Sequence, residues 1–229
     1  MSKSIYIVGG SKGGVGKTIM SLALIDYLGE KGVNLVETDT SNPDVFKVMS
    51  ERVNKAYSIS LDEKNGWLDL IDAIDESPDH PIVINTRAAN NVGMSTFGDL
   101  LIEASTLISR PITVFWVLNT DRDGVALLKS FMQQFGHNEN ITVHVVLNLK
   151  FGDINSFVYQ GSETAKLIEL RGGHTMSLPE LADRVRVKVY NERQSLSAVA
   201  TQGSLGNRIE AEHWRKSVHA SIKSIIGNE

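Results

Sequence analysis

Two lysines five positions apart, Lys12 and Lys17, stand in the run Gly9-Gly10-Ser11-Lys12-Gly13-Gly14-Val15-Gly16-Lys17-Thr18. Glycines at this density let consecutive backbone N–H groups turn inward and form a concave cradle for an anion. A helix starting at the end of the run adds the positive end of its dipole. In that setting Lys17 bridges β- and γ-phosphate oxygens, and the Thr18 hydroxyl takes a coordination position on magnesium. A glycine-rich turn without a ligand would account for Gly13, Gly14 and Gly16, but not for Lys17 and Thr18 in register behind a strand.

Positioning such a loop requires a strand before it and a helix after it. The apolar run Ile5-Tyr6-Ile7-Val8 supplies the strand, and Lys17 to Glu30, apolar on most sides and stopped at Gly32, reads as a buried crossover helix. Further strands are expected at 33–38, 81–85, 111–119, 142–148 and 174–178. Helices are expected at Gly124 to Phe135, at Glu180 to Tyr190 with Pro179 in its first turn, and at Ile209 to Ile226. The segment from Asp44 to Asp62 reads as a helix over Asp44 to Val53 and a short edge strand around Tyr57 to Leu61. Strands alternating with helices predict an α/β fold, a mostly parallel sheet flanked by helices. At 229 residues without an evident linker, the chain is expected to form a single domain spanning 1–229.

Composition narrows the function. The formal charge of -4 argues against a generally basic nucleic-acid binder, while leaving room for a local basic patch. The absence of cysteine removes disulfides, iron-sulfur clusters and thiolate zinc sites, and suits a reducing compartment. His80, His137, His144 and His174 are scattered without ligand-like spacing. No signal pattern precedes Ile5, and the longest apolar stretch, Ile112 to Leu118, is too short to span a bilayer, so a cytoplasmic protein is expected.

The sequence Lys12-Gly13-Gly14-Val15-Gly16-Lys17-Thr18 resembles the deviant Walker-A signature of the ParA/MinD/Soj ATPase family. The resemblance implies a P-loop NTPase fold, ATP and magnesium as ligands, and an ATP-dependent homodimer in which Lys12 reaches the partner's nucleotide. A cation placed there meets the negative charge that phosphoryl transfer develops. The strict pattern has glycine where Ser11 stands. Val143-His144-Val145-Val146-Leu147-Asn148 looks like the family strand whose terminal asparagine, here Asn148, lies beside the purine, and Leu178-Pro179-Glu180-Leu181 resembles a second segment near the base. The guanine-specific pattern Asn-Lys-x-Asp is not met by Asn148-Leu149-Lys150-Phe151.

Elsewhere the family pattern is broken. Its Asp-x-Asp element is met by Val36-Glu37-Thr38-Asp39-Thr40-Ser41-Asn42-Pro43-Asp44, where Asp39 takes the first aspartate position as magnesium and catalytic ligand and Ser41 falls on the second. Asp44 either substitutes or caps a helix beginning near Val45. The Walker-B-like strand Pro81-Ile82-Val83-Ile84-Asn85 ends in asparagine, which accepts a hydrogen bond from a metal-bound water but brings no charge. Weak magnesium-dependent hydrolysis is therefore expected, with Lys12, Lys17 and Asp39 as catalytic residues. This combination looks like the small StbB- and TraL-type proteins of plasmid stability and conjugation.

Arg184, Arg186, Lys188 and Arg193, then Arg208, Arg215, Lys216 and Lys223, form basic clusters diluted by Asp183, Glu192, Glu210 and Glu212. They leave open non-specific DNA binding through phosphate contacts beside a DNA-bound adaptor protein, or a plainly solvated face. The stripe Trp214, Val218, Ile222, Ile225 and Ile226 is expected to pack on the sheet rather than to enter a membrane. A switch in plasmid partition, stability or conjugative transfer is the first expectation. A non-hydrolysing nucleotide scaffold and a dethiobiotin synthetase-like ligase are the rivals.

Overall fold

The computed structural model describes residues 4–10, 12–88 and 91–227, apart from the side chains of Asn91 and Val92. Seven strands form one sheet: β1 (Ile5–Gly9), β2 (Asn34–Glu37), β3 (Lys55–Ser58), β4 (Ile82–Asn85), β5 (Ile112–Leu118), β6 (Ile141–Asn148) and β7 (Thr175–Leu178). Their order is β3-β2-β4-β1-β5-β6-β7, and every neighbouring pair is parallel. The α/β fold class is thus what the alternating pattern requires. After β1 the chain builds outward on one side, and after β4 it crosses to the other, so β1 stands at the point where the winding reverses. Ligands of such sheets sit in the crevice at the carboxyl ends of the strands around that point.

Both faces are covered. Tyr6 and Val8 point to one side and Ile5 and Ile7 to the other, and all four are buried, as expected for a central parallel strand. Helices α1 (Lys17–Leu28), α2 (Asp44–Met49), α7 (Asp183–Tyr190), α8 (Leu196–Gln202) and α9 (Leu205–Ile226) cover the Tyr6 face. Helices α3 (Lys64–Asp75), α4 (Asn91–Leu107), α5 (Arg122–Phe135) and α6 (Glu163–Leu170) cover the Ile5 face.

Several boundaries differ from the sequence expectation. Helix α1 ends at Leu28 because Gly29 adopts φ 88°, and the residues to Gly32 form a 3-10 turn. Helix α2 stops at Met49 and not Val53, and the edge strand lies at Lys55–Ser58. Helix α7 starts at Asp183, so Pro179 is not in its first turn. The Pro179 carbonyl instead accepts the Trp214 indole N–H at 2.8 Å, which ties this loop to α9. The terminal helix α9 begins at Leu205, four residues earlier than its apolar stripe suggests. Trp214, Val218 and Ile222 are buried in the core, and Ile225 and Ile226 pack against it, so the stripe is consumed by tertiary packing. No helix among the described residues is long and apolar enough to cross a membrane.

A charge cluster fastens α9 to α1. Arg215 contacts Asp26 through Nε at 2.7 Å and Nη2 at 3.0 Å, and His219 Nε2 lies 2.8 Å from the same carboxylate. Burial alone would raise the Asp26 carboxyl, but the hydrogen bonds from His219 and Arg215 bring it below the usual range. Truncating Arg215 removes two of the three side-chain contacts of this buried carboxylate and leaves it to His219 alone. Arg215→Ala is expected to cost on the order of 3 kcal/mol in urea unfolding, and an unchanged midpoint would show that the cluster holds nothing.

His144 on β6 lies between the rings of Phe115 and His174, each 5.7 Å away, and its Nδ1 accepts the His174 backbone N–H at 3.1 Å. Burial, with the His174 charge second, lowers its pKa to about 4. Between that value and about 6.5 the unfolded chain binds the extra proton, so this contribution to stability is full above pH 6.5 and is lost as pH falls toward 4. The expected loss is about 3 kcal/mol. Urea midpoints measured from pH 7 to pH 4.5 should fall in the wild type and fall less in His144→Gln; equal slopes would remove His144 as the cause.

Candidate functional site

The glycine-rich run lies between β1 and α1, at the carboxyl edge of the sheet. Gly14 and Gly16 adopt φ 77° and 112°, the left-handed region in which a side chain is strained, so these two glycines make the turn possible. Gly13 and Gly14 are exposed, whereas Val15 is buried and anchors the loop from below. Ser11, at the position where the strict pattern has glycine, lies outside the described residues. Thr18 follows in the first turn of α1, half-buried.

Lys17 is 8 % exposed, and its ammonium donates to the Lys12 carbonyl at 2.8 Å. Burial lowers its pKa, opposed by the charges of Asp39 and Glu37 in that order. The structure therefore brings Lys17 and Asp39 together. Asp39 Oδ1 accepts the Ser41 hydroxyl at 2.7 Å and the Asn42 N–H at 3.0 Å, so Ser41 serves to orient Asp39.

Glu37, passed over in the sequence reading, occupies the last position of β2 with no solvent exposure. One carboxylate oxygen accepts the Asn85 amide at 2.8 Å and the Asp39 N–H at 3.1 Å, and the other accepts the Val45 N–H at 3.2 Å. Burial raises its pKa, and these hydrogen bonds pull it back down. Asn85 pairs with Glu37 in the β2–β4 register and accepts the Ser21 hydroxyl at 2.9 Å. A buried chain of hydrogen bonds thus links α1, β4, β2 and the Asp39 turn. The signal available was an acidic residue directly after the apolar pair Leu35-Val36 of a strand, where a buried charge must have partners.

Asp44 opens α2 but does not cap it: Pro43 precedes the helix without a side-chain cap, and the Val45 N–H goes to Glu37. The Asp44 carboxylate instead holds Asn42 at 3.0 Å and Lys47 at 3.2 Å.

Lys12 points away from its own loop. Its ammonium donates to Asp123 at 2.7 Å and lies 3.7 Å from Asp121, all three side chains exposed. The Asn148 amide donates to the Val15 carbonyl at 2.8 Å, fixing the end of β6 against the phosphate loop. Asn148, Gly14, Gly16, Pro179, Leu181 and Tyr190 line a cleft of about 90 Å³. The two segments read as lying near a base therefore meet beside the glycines.

Magnesium takes hard oxygen ligands and retains several waters, so it needs few protein groups once phosphate is bound. No group of three or more His, Cys, Asp or Glu that could hold a metal by itself occurs among the described residues. The Thr18 hydroxyl and the Asp39 carboxylate suit the sparser set. Four of the eight basic cluster residues are committed to acidic neighbours: Arg186 to Asp183, Lys188 to Glu192, Lys216 to Glu212, and Arg215 to Asp26 and Glu212.

No family model matches the chain. The MinD cell division protein of Aquifex aeolicus superposes with a TM-score of 0.57 at 14% identity, over 99% of this chain and 98% of that one. The septum site-determining protein MinD of Pyrococcus horikoshii, solved with Mg-ADP, gives 0.55 at 17% identity over 97% and 99%. At such identities the likeness is one of fold, and it is that of the MinD-type P-loop proteins. Protein MobD of Acidithiobacillus ferrooxidans is 41% identical over 229 residues, covering 99% of both chains. Identity of that extent over the whole length places the chain in the family of Protein MobD, on the nucleotide-binding fold that it shares with MinD.

Proposed function

We propose that this protein binds ATP with magnesium in its 10–18 loop and uses it as a homodimerisation switch, in the mobilisation, partition, stability or conjugative transfer of plasmid DNA. The reading is carried by the opposed placement of the two lysines. Lys17 is buried beneath the loop, where it meets the phosphates of its own nucleotide, and Lys12 stands outward on a solvent-facing carboxylate. The name of the MobD relative and the Mg-ADP found with a MinD neighbour support the setting and the ligand.

In this reading the amides of Gly13 to Thr18 and the α1 dipole hold the polyphosphate, and Lys17 neutralises its terminal charge. Thr18 and Asp39 hold magnesium, which withdraws charge from the transferred phosphoryl group when bound. Asn148 orders the loop from the base side. Asn85 contributes no charge, and both ends of its amide are engaged by Ser21 and Glu37, which fits slow turnover. A DNA-bound adaptor protein reads the dimer, and the close kinship with the StbB- and TraL-type proteins belongs to this same proposal.

The rival readings meet specific observations. A ligase acting on a small acid needs convergent polar groups beside the γ-phosphate. The cavity of about 280 Å³ that reaches Gly9 and Gly10 is lined mainly by apolar side chains such as Trp67, Leu70, Ile84, Leu101, Trp116 and Phe131. A scaffold without hydrolysis is favoured by Asn85, and phosphate release decides it.

Lys17→Ala should weaken ATP binding by roughly 100-fold in calorimetry, through loss of charge-assisted contacts worth about 1.5–3 kcal/mol each. Phosphate release by the wild type should exceed that of Lys17→Ala, and coincident traces would favour the scaffold. Lys12→Ala should bind ATP within about threefold of wild type, because its side chain lies outside the loop, yet should remain monomeric in gel filtration with ATP and magnesium. A dimer formed by this variant as readily as by wild type would remove Lys12 from the switch.

A further inference from the structure

A glycine at the end of the central strand leaves a gap in one face of the sheet. On the Ile5 face, Ile84, Ile7 and Val114 lie side by side in the register of β4, β1 and β5 and form one apolar row. Two residues further along these strands stand Thr86, Gly9 and Trp116, with Gly9 paired to Trp116. A Cβ on Gly9 would lie 3.6 Å from Trp116 Cε3 and 3.9 Å from Thr86 Oγ1, so the glycine keeps the space between those two side chains open. Trp67 and Leu70 of α3, Leu101 of α4, and Leu127 and Phe131 of α5 enclose it from the helix side, as a cavity of about 280 Å³. Interiors hold few spaces larger than a water molecule, so one of this size is a pocket and not a packing defect. Scaled from the ~150 Å³ that takes benzene, it accommodates roughly a dozen non-hydrogen atoms. Arg87, Ser130 and Gln134 on its lining are exposed, which puts its rim at the surface.

The polar groups of the wall define what it can hold. The Thr86 hydroxyl donates to the Val8 carbonyl at 2.9 Å, the Ser130 hydroxyl to the Ala126 carbonyl at 3.2 Å, and the Gln134 amide to the Ser95 carbonyl at 2.9 Å, so these groups are engaged with the protein. Arg87, the charged residue of the lining, is paired with both carboxylate oxygens of Asp62 at 3.1 and 2.9 Å. Trp116 differs. It is 6% exposed, and its indole N–H has no hydrogen-bond partner among the described residues. The Trp67 and Trp214 indoles, by contrast, donate to the Leu61 carbonyl at 3.1 Å and the Pro179 carbonyl at 2.8 Å. A buried donor without an acceptor is costly, and on the wall of an apolar pocket it calls for an acceptor on whatever binds there. We infer that this cavity binds a small neutral aromatic or alicyclic molecule whose carbonyl or ether oxygen accepts the Trp116 indole N–H. Rings suit the aromatic walls, where Phe131 lies 5.2 Å from Trp116 between ring centres. A carboxylate or ammonium would lose its hydration against a wall that offers no unpaired opposite charge. The cavity ends at Gly9 and Gly10, where β1 passes into the phosphate loop, but it involves neither Lys17 nor Asp39, so the inference stands apart from the nucleotide reading.

The test uses three probes of nearly equal shape in calorimetry of the full chain: acetophenone, which carries the acceptor, cumene, which lacks it, and benzoate, which is charged. Acetophenone and cumene should each saturate a single site, and benzoate should not bind. Leu127→Trp fills the cavity from a half-buried helix position, and should weaken both neutral probes by roughly tenfold while keeping the circular dichroism of wild type. Trp116→Phe keeps a ring and removes the N–H, and should weaken acetophenone relative to cumene by about fivefold, the net worth of one hydrogen bond. Wild type supplies an independent reading, because its 3 tryptophans give separate indole signals in proton–nitrogen correlation spectra. The signal missing from Trp116→Phe should move further downfield with acetophenone than with cumene, while that of Trp214, in the core on the other face, stays in place. Failure of both neutral probes to saturate a site, undiminished binding in Leu127→Trp, benzoate bound as tightly as acetophenone, or a Trp116 signal that responds alike to both neutral probes would overturn the inference. Each of these outcomes leaves ATP binding by the loop untouched.

Discussion

An ammonium group withdrawn from water beneath a loop of glycines is the constraint on which the rest of this structure depends. Lys17 has a carbonyl of its own loop on one side and the charges of Asp39 and Glu37 on another, and without them its burial would favour the neutral form. That requirement fixes the relative positions of the first turn of α1 and the end of β2. Through Glu37 it reaches further, because the same carboxylate holds the amide of Asn85, the Asp39 turn and the first turn of α2. Four elements that are far apart in sequence are thus joined by one buried polar chain. Each member removed would leave another unpaired, which costs more than the bond itself contributes.

The exchange of a neutral side chain into β4 has a consequence for the charge of the site. Asn85 and Glu37 face each other across the β2–β4 ladder, so the acidic group at the centre of the crevice belongs to β2 and the neutral one to β4. Two carboxylates at 2.8 Å could not both stay ionised in so dry a position, and an amide opposite a carboxylate avoids that conflict. Gly13 and Gly14 are exposed, whereas Val15, Lys17 and Asn148 are buried and hold the loop from beneath. The buried part of the loop is therefore on the side of the sheet and the exposed part on the side of solvent.

The C-terminal helix shows how the same sequence feature supports opposite readings until tertiary contacts are known. A basic amphipathic helix with Trp214, Val218 and Ile222 on one side fits a membrane surface or a protein core equally well by pattern. Here α9 packs against α1 and β7, and the ion cluster of Asp26, Arg215 and His219 fastens the two helices, so the stripe is buried. Two of the basic residues that gave the helix its character, Arg215 and Lys216, pair with Glu212 one turn away. Such neighbours at i,i+3 and i,i+4 are visible in the sequence, and they reduce the free positive field of the face.

By itself the sequence determined the order and type of the strands, the α/β class, and the loop with Lys12, Lys17 and Thr18. Those features depend on local rules: period, glycine placement, and residue spacing along one turn. It also put Asn148 at the end of a strand, where the structure has it at the end of β6. Tertiary structure alone decided which acids stand near Lys17, since Glu37 and Asn85 lie 48 residues apart and meet only through the parallel register of two strands. Likewise, Asp44 lost its capping role to Glu37, and Pro179 its place in a helix to a bond from Trp214. In each case a distant partner offered a buried polar group a better bond than its neighbours could, and partners of that kind are set by packing rather than by spacing.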